Sequence, residues 1–428
     1  MARDQGTRER AASFNPETQK QEKERNVVEY SAIDSQQQDA IGEGFDNVGG
    51  REQDRPSAVS KERKRNIPRR DSFLRSIVKL GVSDLHLKEG MPPRVRVAGQ
   101  LRKLDLEPLP SADFEQFMLD FLTAKQQRML EENGSVDFTY DLDGSDRFRV
   151  NIFRQESGLS MAARRVTRTI PAFEDLHLPS VISKISENRQ GLVLIAGVTG
   201  SGKSTTLAAM IEHINSSRAE HILTIEDPIE FLFTSKKSLI NQREIGINVK
   251  NFPTALRALV REDPDVVLIG EMRDVETFQA ALQATDTGHL VFGTIHASSC
   301  AQTISRILDL FPDDEREAIR QALVFNLKAI ISQKLVPSVR KDIPRVPINE
   351  VLLCTPIVQK LIAEQRDSDL PSVIRGGDEG MQSFNDSLQY FIEKGYVDTK
   401  TAYKYSPNPE ELKMQLKGIR QSKGGLVG

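Results

Sequence analysis

Eight residues, "GVTGSGKS" at 197–204, constrain this chain more than any other stretch. They stand between "GLVLIAG", a continuous apolar run that reads as a buried strand, and "STTLAAMIEHINSS", in which Leu207, Met210, Ile211 and Ile214 recur on one helical face. Strand, glycine-rich loop and helix in that order make a phosphate cradle. Gly197, Gly200 and Gly202 let the backbone turn its N–H groups inward, and the following helix aims its positive end at the same point. Lys203 reaches the β- and γ-phosphates from there, and the Ser204 hydroxyl is placed to ligate Mg²⁺.

Such a loop needs a sheet behind it, and the sequence supplies one. After Pro179 strands alternate with helices, the pattern of a parallel sheet with crossover connections. "HILTIED", "DVVLIGE" and "HLVFGTIH" read as further strands, with "FPTALRALVRED" and "VETFQAALQATDTG" as helices between them. Open sheets of this kind bind ligands at the carboxyl edge, where each of these strands ends in polar residues. "HILTIEDPIEF" delivers Glu226, Asp227 and Glu230, acids that either pair with lysines at the surface or orient and deprotonate an attacking water. "DVVLIGE" ends at Glu271, the position of a Walker B acid that holds a metal's water shell. "GHLVFGTIH" begins at His289 and closes at His296. Seven residues of extended chain set these two far apart on opposite faces, a poor metal pair. Each reads as a structural histidine, or as a contact to phosphate or a neighbouring subunit.

The 428 residues, 38% of them hydrophobic, suffice for two or three domains with separate cores. A net charge of −3 argues against a nucleic-acid coat, so no nucleic-acid partner is expected. Cys300 and Cys354 are the only cysteines and lie far apart, which excludes a disulfide framework and a tetracysteine zinc site and suits a reducing cytoplasm. The first residues hold no apolar core for a signal peptide, and no apolar run approaches the roughly 18 residues that span a bilayer. Membrane contact is therefore expected through partners or a surface.

Residues 1–70 are rich in Gln, Glu, Arg, Ser and Asp and read as a disordered charged extension. It ends in "KERKRNIPRR", a solvated linker or a surface for acidic lipid or a partner. From Asp71 a compact α+β domain begins: "SFLRSIVKLG" and "FEQFMLDFL" read as helices. "DLHLKEGMPPRVRVAGQLRKL", "SVDFTYDLDGSDRFRVNIFRQ" and "LSMAARRVTR" read as strands. The expected divisions are 71–178 for this domain, 179–345 for an ATPase core and 346–428 for a helical C-terminal region and tail. From about Ala301 to Gly418 the chain reads mostly as helices.

Four boxes together, "GVTGSGKST", "HILTIEDPIEF", "DPDVVLIGEMRD" and "TGHLVFGTIHASS", resemble the secretion-type motor ATPases, and within them the type IV pilus retraction ATPases of the twitching-motility (PilT/PilU) group. The resemblance runs from about Asp71 to Ile419. It implies an α/β protein: a PAS-like α+β domain, then a RecA-like P-loop ATPase domain with a parallel sheet and a helical C-terminal region. It implies ATP and Mg²⁺ as ligands, bound by Gly197, Thr199, Gly200, Ser201, Gly202, Lys203, Ser204 and Thr205 with Glu226, Asp227, His289 and His296. Glu230 matches the family's catalytic base, Glu271 its Walker B acid, reaching the metal through water beside Ser204, and His289 and His296 its His box. Arginines from the N-terminal domain complete the site, and Arg147, Arg149, Arg164 and Arg165 are available; Arg149 is favoured, then Arg165, against a plain surface role. The implied assembly is a homo-hexamer on the cytoplasmic face of the inner membrane, working on a pilus platform protein beside a second retraction ATPase.

Within the group, "RILDLFPDDERE" and "GMQSFNDSLQYFIEKGYV" look like the retraction branch. "GEMRD" and "LVREDPD" resemble the PilT type, whereas "NLKAIISQKLVP" and "SPNPEELKMQLKGI" resemble the accessory PilU type. Two departures stand out. Val198 occupies a position where the family usually has proline. The family's arginine-bearing retraction motif survives only as "PIVQKLIAEQ", with its apolar spacing but without its arginines. A weakly hydrolysing ring subunit, or a secretion or extension motor, are the other readings.

Overall fold

The computed structural model describes residues 69–418 apart from 98–99, 109–110, 143–145 and 260. The extension expected over 1–70 lies, except for its last two residues, outside the described part, as does the end of the tail. The chain divides into two compact units, the first ending at Arg165 and the second beginning at Val166. This is earlier than the division expected after 178, because the connecting segment packs with the second unit: Thr167 bridges to Phe231, and Val166 is buried with Ile229 and Leu232.

In the first unit, helices α1 (Arg69–Lys79), α2 (Ser111–Leu119) and α3 (Ala124–Asn133) accompany strands β1 (Asp84–Lys88), β2 (Arg94–Val97), β3 (Gln100–Lys103), β4 (Ser135–Asp141), β5 (Arg147–Gln155) and β6 (Gly158–Val166). They form one six-stranded sheet in the order β3-β2-β1-β6-β5-β4. Strict alternation on β5 sends Phe148, Val150 and Ile152 into the core with Phe73, Leu74, Ile77 and Met118, and leaves Arg147 and Arg149 on the other face. Helix α3, not anticipated from the sequence, is set by a Thr123–Gln126 capping box and ends at Gly134, whose φ of 73° a left-handed cap requires.

The second unit carries a seven-stranded sheet in the order β13-β12-β7-β11-β10-β8-β9. Its members are β7 (Gly191–Ala196), β8 (His221–Glu226), β9 (Leu239–Glu244), β10 (Val266–Ile269), β11 (Leu290–Ile295), β12 (Leu327–Pro337) and β13 (Arg345–Leu353). All neighbours run parallel except the β12–β13 pair. Helices α4 (Val181–Ser186), α5 (Lys203–Ser217), α6 (Phe252–Leu259), α7 (Val275–Asp286), α8 (Cys300–Leu308) and α9 (Arg316–Asn326) cover its faces. The continuous apolar runs are explained by burial on both sides: on β7, Leu192, Leu194 and Ala196 join one cluster while Val193 and Ile195 join another with Leu207, Met210, Ile211 and Ile214 of α5.

The helical reading of the chain after Ala301 is corrected by β12 and β13. "LKAIISQKLVP" places Ile330 and Ile331 in clusters on opposite faces of the sheet, so it is a central strand buried on both sides. The helical C-terminal region accordingly begins after Leu353 rather than at 346. It contains α10 (Pro356–Ala363), α11 (Leu370–Gly376), α12 (Phe384–Glu393), α13 (Thr399–Tyr405) and α14 (Pro409–Leu416). No helix among the described residues is long and apolar enough to cross a membrane.

Candidate nucleotide site

The register of the parallel sheet decides which residues can meet. Ile295 at the end of β11 pairs with Ala196 at the end of β7, and the Gly197 N–H donates to the Ile295 carbonyl at 3.2 Å. The phosphate loop, the acid after β10 and the histidine after β11 therefore leave the sheet together at its carboxyl edge. His289, at the other end of β11, does not belong to this group. Its Nδ1 lies 2.8 Å from the Ala284 carbonyl and 3.0 Å from Thr287 Oγ1, where it closes the end of α7. Of the two expected nucleotide contacts in the His box, His296 lies at the carboxyl edge beside Glu271 and His289 at the opposite end of β11.

The loop has the backbone the sequence demanded. Gly197, Gly200 and Gly202 hold φ values of 154°, 78° and 88°. Two of them are also closely hemmed in: a Cβ on Gly197 would stand 2.6 Å from the Gln333 carbonyl oxygen, and one on Gly202 2.8 Å from Gln333 Nε2. Gly202 is the N-cap of α5 and no side chain caps the helix, so its first N–H groups stay free to receive an anion. Ser204 and Thr205 sit half-buried in that first turn, with Thr199 and Gly200 exposed at the loop's crest. The Lys203 ammonium donates to the carbonyls of Gly197 (2.7 Å) and Val198 (3.2 Å). Burial pulls its pKa down, opposed by the charges of Glu271 and Glu230. Both acids therefore act electrostatically on the lysine that would meet the phosphates.

The acids divide by environment. Glu226, the last residue of β8, is buried, and burial pushes its carboxyl up to about 7 against hydrogen bonds from Thr224 Oγ1 (2.7 Å) and Gln242 Nε2 (3.3 Å). It supports the strand end. Asp227 and Glu230 are exposed just beyond it, across the turn that Ile229 anchors in the interior. Glu271 is half-buried. Burial alone would raise its carboxyl, but Arg273, His296 and Lys203 hold it below the usual range and so keep it ionised. Arg273 pairs with one of its oxygens, and His296 Nε2 stands 2.9 Å from the other without hydrogen-bond geometry. An ionised carboxylate and the Ser204 hydroxyl at a helix start are the donor types a hydrated Mg²⁺ takes.

The arginines of the first unit are not equivalent. Arg147 is paired with Asp141 at 2.7 Å, Arg164 with Asp84 at 2.8 Å, and Arg165 with the buried Asp146. Arg149, opposite Thr139 on β4, makes no side-chain hydrogen bond or ion pair among the described residues. Arg165, the second choice, is thus already engaged. The sequence reading missed Gln333, Asn349 and Thr206, a fully buried polar group beneath the phosphate loop. The signal was there in "ISQKLVP", a polar residue inside an apolar strand.

The family model "Type II/IV secretion system protein" matches residues 61–351. The type IV pilus retraction ATPase PilT of Pseudomonas aeruginosa is 42% identical over 335 residues, 78% of this chain and 97% of that protein. The type IV pilus ATPase PilU of the same organism is 36% identical, covering 81% of this chain and 91% of its own length. Among solved structures, that of the pilus retraction motor PilT with bound ADP superimposes with a TM-score of 0.74 at 41% identity, over 80% of this chain and 98% of that one.

Proposed function

The chain belongs to the type II/IV secretion system protein family, and on that premise we propose that it is a ring-forming ATPase whose hydrolysis of Mg-ATP drives type IV pilus retraction. The observation that carries this reading is the junction of Lys203, Glu271, His296 and an uncapped helix start at one sheet edge, in a chain that spans nearly all of a retraction ATPase. The free N–H groups of the loop and of α5 bind the β- and γ-phosphates, and Lys203 exchanges its loop carbonyls for them. Ser204 and Glu271 would hold Mg²⁺, which would supply positive charge against the phosphoryl oxygens. Glu230, exposed beyond β8, takes the proton of the attacking water. Glu226, buried and largely protonated below pH 7, keeps the turn that carries Glu230 in place.

In this reading the ring is a homo-hexamer peripheral to the inner membrane, and it acts on a platform protein from the cytoplasmic side. Its first unit is a PAS-like domain, an assignment supported by the neighbouring first and last strands at the centre of its sheet. The accessory type is the second reading, favoured by α10: it keeps Val358, Leu361 and Ile362 buried but lacks the arginines of the retraction motif. Identity favours the main motor, 42% against 36%.

Purified full-length protein tests the chemistry. The wild type is expected to release phosphate from ATP only with Mg²⁺, Lys203→Ala to lose nucleotide binding, and Glu230→Gln to bind Mg-ATP yet hardly hydrolyse it. A wild type that neither binds nor hydrolyses ATP sinks the reading. A Glu230→Gln protein hydrolysing at the wild-type rate moves the base to Glu226 or Glu271.

A further inference from the structure

The phosphate loop rests on one side chain. Gln333 lies on β12 directly under the loop and is 1% exposed. Its Nε2 donates to the Ser201 carbonyl at 2.8 Å, and its Oε1 accepts from Thr206 Oγ1 at 2.8 Å and from Asn349 Nδ2 at 2.9 Å. The orientation of the amide follows from its partners, since the Ser201 carbonyl can only accept. Its own main-chain oxygen closes the space beneath Gly197, and Nε2 the space beneath Gly202. The side-chain amide therefore indexes the C-terminal end of the loop and the first turn of α5, and the main chain of the same residue lies under the loop's start. Asn349 is fully buried on β13, where its N–H donates to Ser387 Oγ of α12 at 3.2 Å and its carbonyl accepts from Gln382 Nε2 at 3.1 Å.

We propose that Gln333 is a positioning residue for nucleotide binding: through Ser201 and Thr206 it fixes the phosphate loop in its binding shape, with Asn349 holding its amide in register from β13. The inference rests on the nucleotide-site reading above. Replacing a buried amide that meets the phosphate loop, the helix after it and the next strand by an apolar side chain frees the loop carbonyl and the helix hydroxyl at once. No atom of Gln333 needs to touch the nucleotide for this to act on affinity.

The test uses the full chain with Gln333→Met, which keeps side-chain length and removes the hydrogen bonds, and Thr206→Val, which removes one partner and leaves Gln333 in place. Nucleotide affinity is read with a fluorescent ADP analogue, KM and kcat from phosphate release, and folding from thermal melting. Gln333→Met is expected to weaken nucleotide affinity and raise KM by about tenfold, with kcat changed less. Thr206→Val should show a smaller loss in the same direction, and the double variant less than the product of the two. Gln333→Asn, which keeps an amide on a shorter arm, should recover part of the affinity. A lowered melting temperature with unchanged affinity and KM would overturn the proposal, leaving Gln333 as packing alone, and so would no change at all or strict additivity. Lys203→Ala, measured in parallel, separates the two layers: if wild type and Lys203→Ala bind nucleotide alike, the nucleotide-site reading itself has failed.

Discussion

At the scale of single residues, the site works by giving chemically identical groups different surroundings. Glu226, Glu230 and Glu271 are all glutamates at one sheet edge, yet one is buried and raised to about 7, one is exposed, and one is held ionised by Arg273, His296 and Lys203. The raised carboxyl has a consequence for stability. Between pH 4.5 and about 7 the folded chain keeps the Glu226 proton that the unfolded chain has lost, so this group's contribution is fully present below pH 4.5 and disappears as pH rises through 7. Glu226→Gln can still accept from Thr224 and Gln242 but carries no charge to bury. Its stability at pH 8 should exceed the wild type's by up to about 3 kcal/mol, with the gap closing near pH 5. Denaturant titrations at the two pH values check this, and an equal gap at both would mean Glu226 is ionised in the fold. None of this was legible in "HILTIEDPIEF", which shows three acids within five positions and cannot say which one turns inward.

At the scale of elements, what sequence reveals depends on how local the cause is. The strand, loop and helix around 197–204 were readable because glycine geometry, apolar spacing and the lysine are all set within one continuous stretch, from Gly191 to Ser217. The strands β12 and β13 were not, since an apolar stretch such as "LKAIISQKLVP" satisfies helix and strand alike until the sheet that flanks it is known. Edge strand β9 was missed for the opposite reason: "LINQRE" is too polar to announce itself, and it is a strand because β8 pairs with it along its whole length. The same contrast predicts two glycine variants. Gly200→Ala meets open space and bears only the strain of a left-handed φ, about 1–2 kcal/mol. Gly197→Ala would place its methyl 2.5 Å from Ser201 Oγ and 2.6 Å from the Gln333 carbonyl, so the loop must move. Nucleotide titration should show little loss for Gly200→Ala and near abolition for Gly197→Ala, and equal behaviour would contradict the floor assigned to Gln333.

At the scale of the whole molecule, the account requires that copies of the chain share their chemistry. In the sequence flanking β10 the second unit has Arg257, Arg261 and Arg273, and Arg273 already pairs with Glu271. A charge-stabilising arginine from a neighbour is worth on the order of a thousandfold or more in rate, and Arg149, on the face of its sheet away from the core, has no ion pair among the described residues. Arg149→Ala and Glu230→Gln proteins should each be inactive, while rings refolded from both should regain hydrolysis, because some interfaces then join an intact Arg149 to an intact Glu230. Failure to recover in rings proven mixed by tagged subunits would remove Arg149 from the neighbour's site. The ring symmetry that such sharing needs is nowhere written in a single chain's composition, which is why only the four boxes, taken together, pointed toward an assembly. The central claim is that hydrolysis at this site retracts pili, and it is tested most directly by following fluorescently labelled pili in cells deleted for this chain and resupplied with the wild type or with Glu230→Gln. Retraction should be restored by the wild type and abolished with Glu230→Gln at equal protein level; retraction that proceeds equally with both would show that hydrolysis at this site does not drive it.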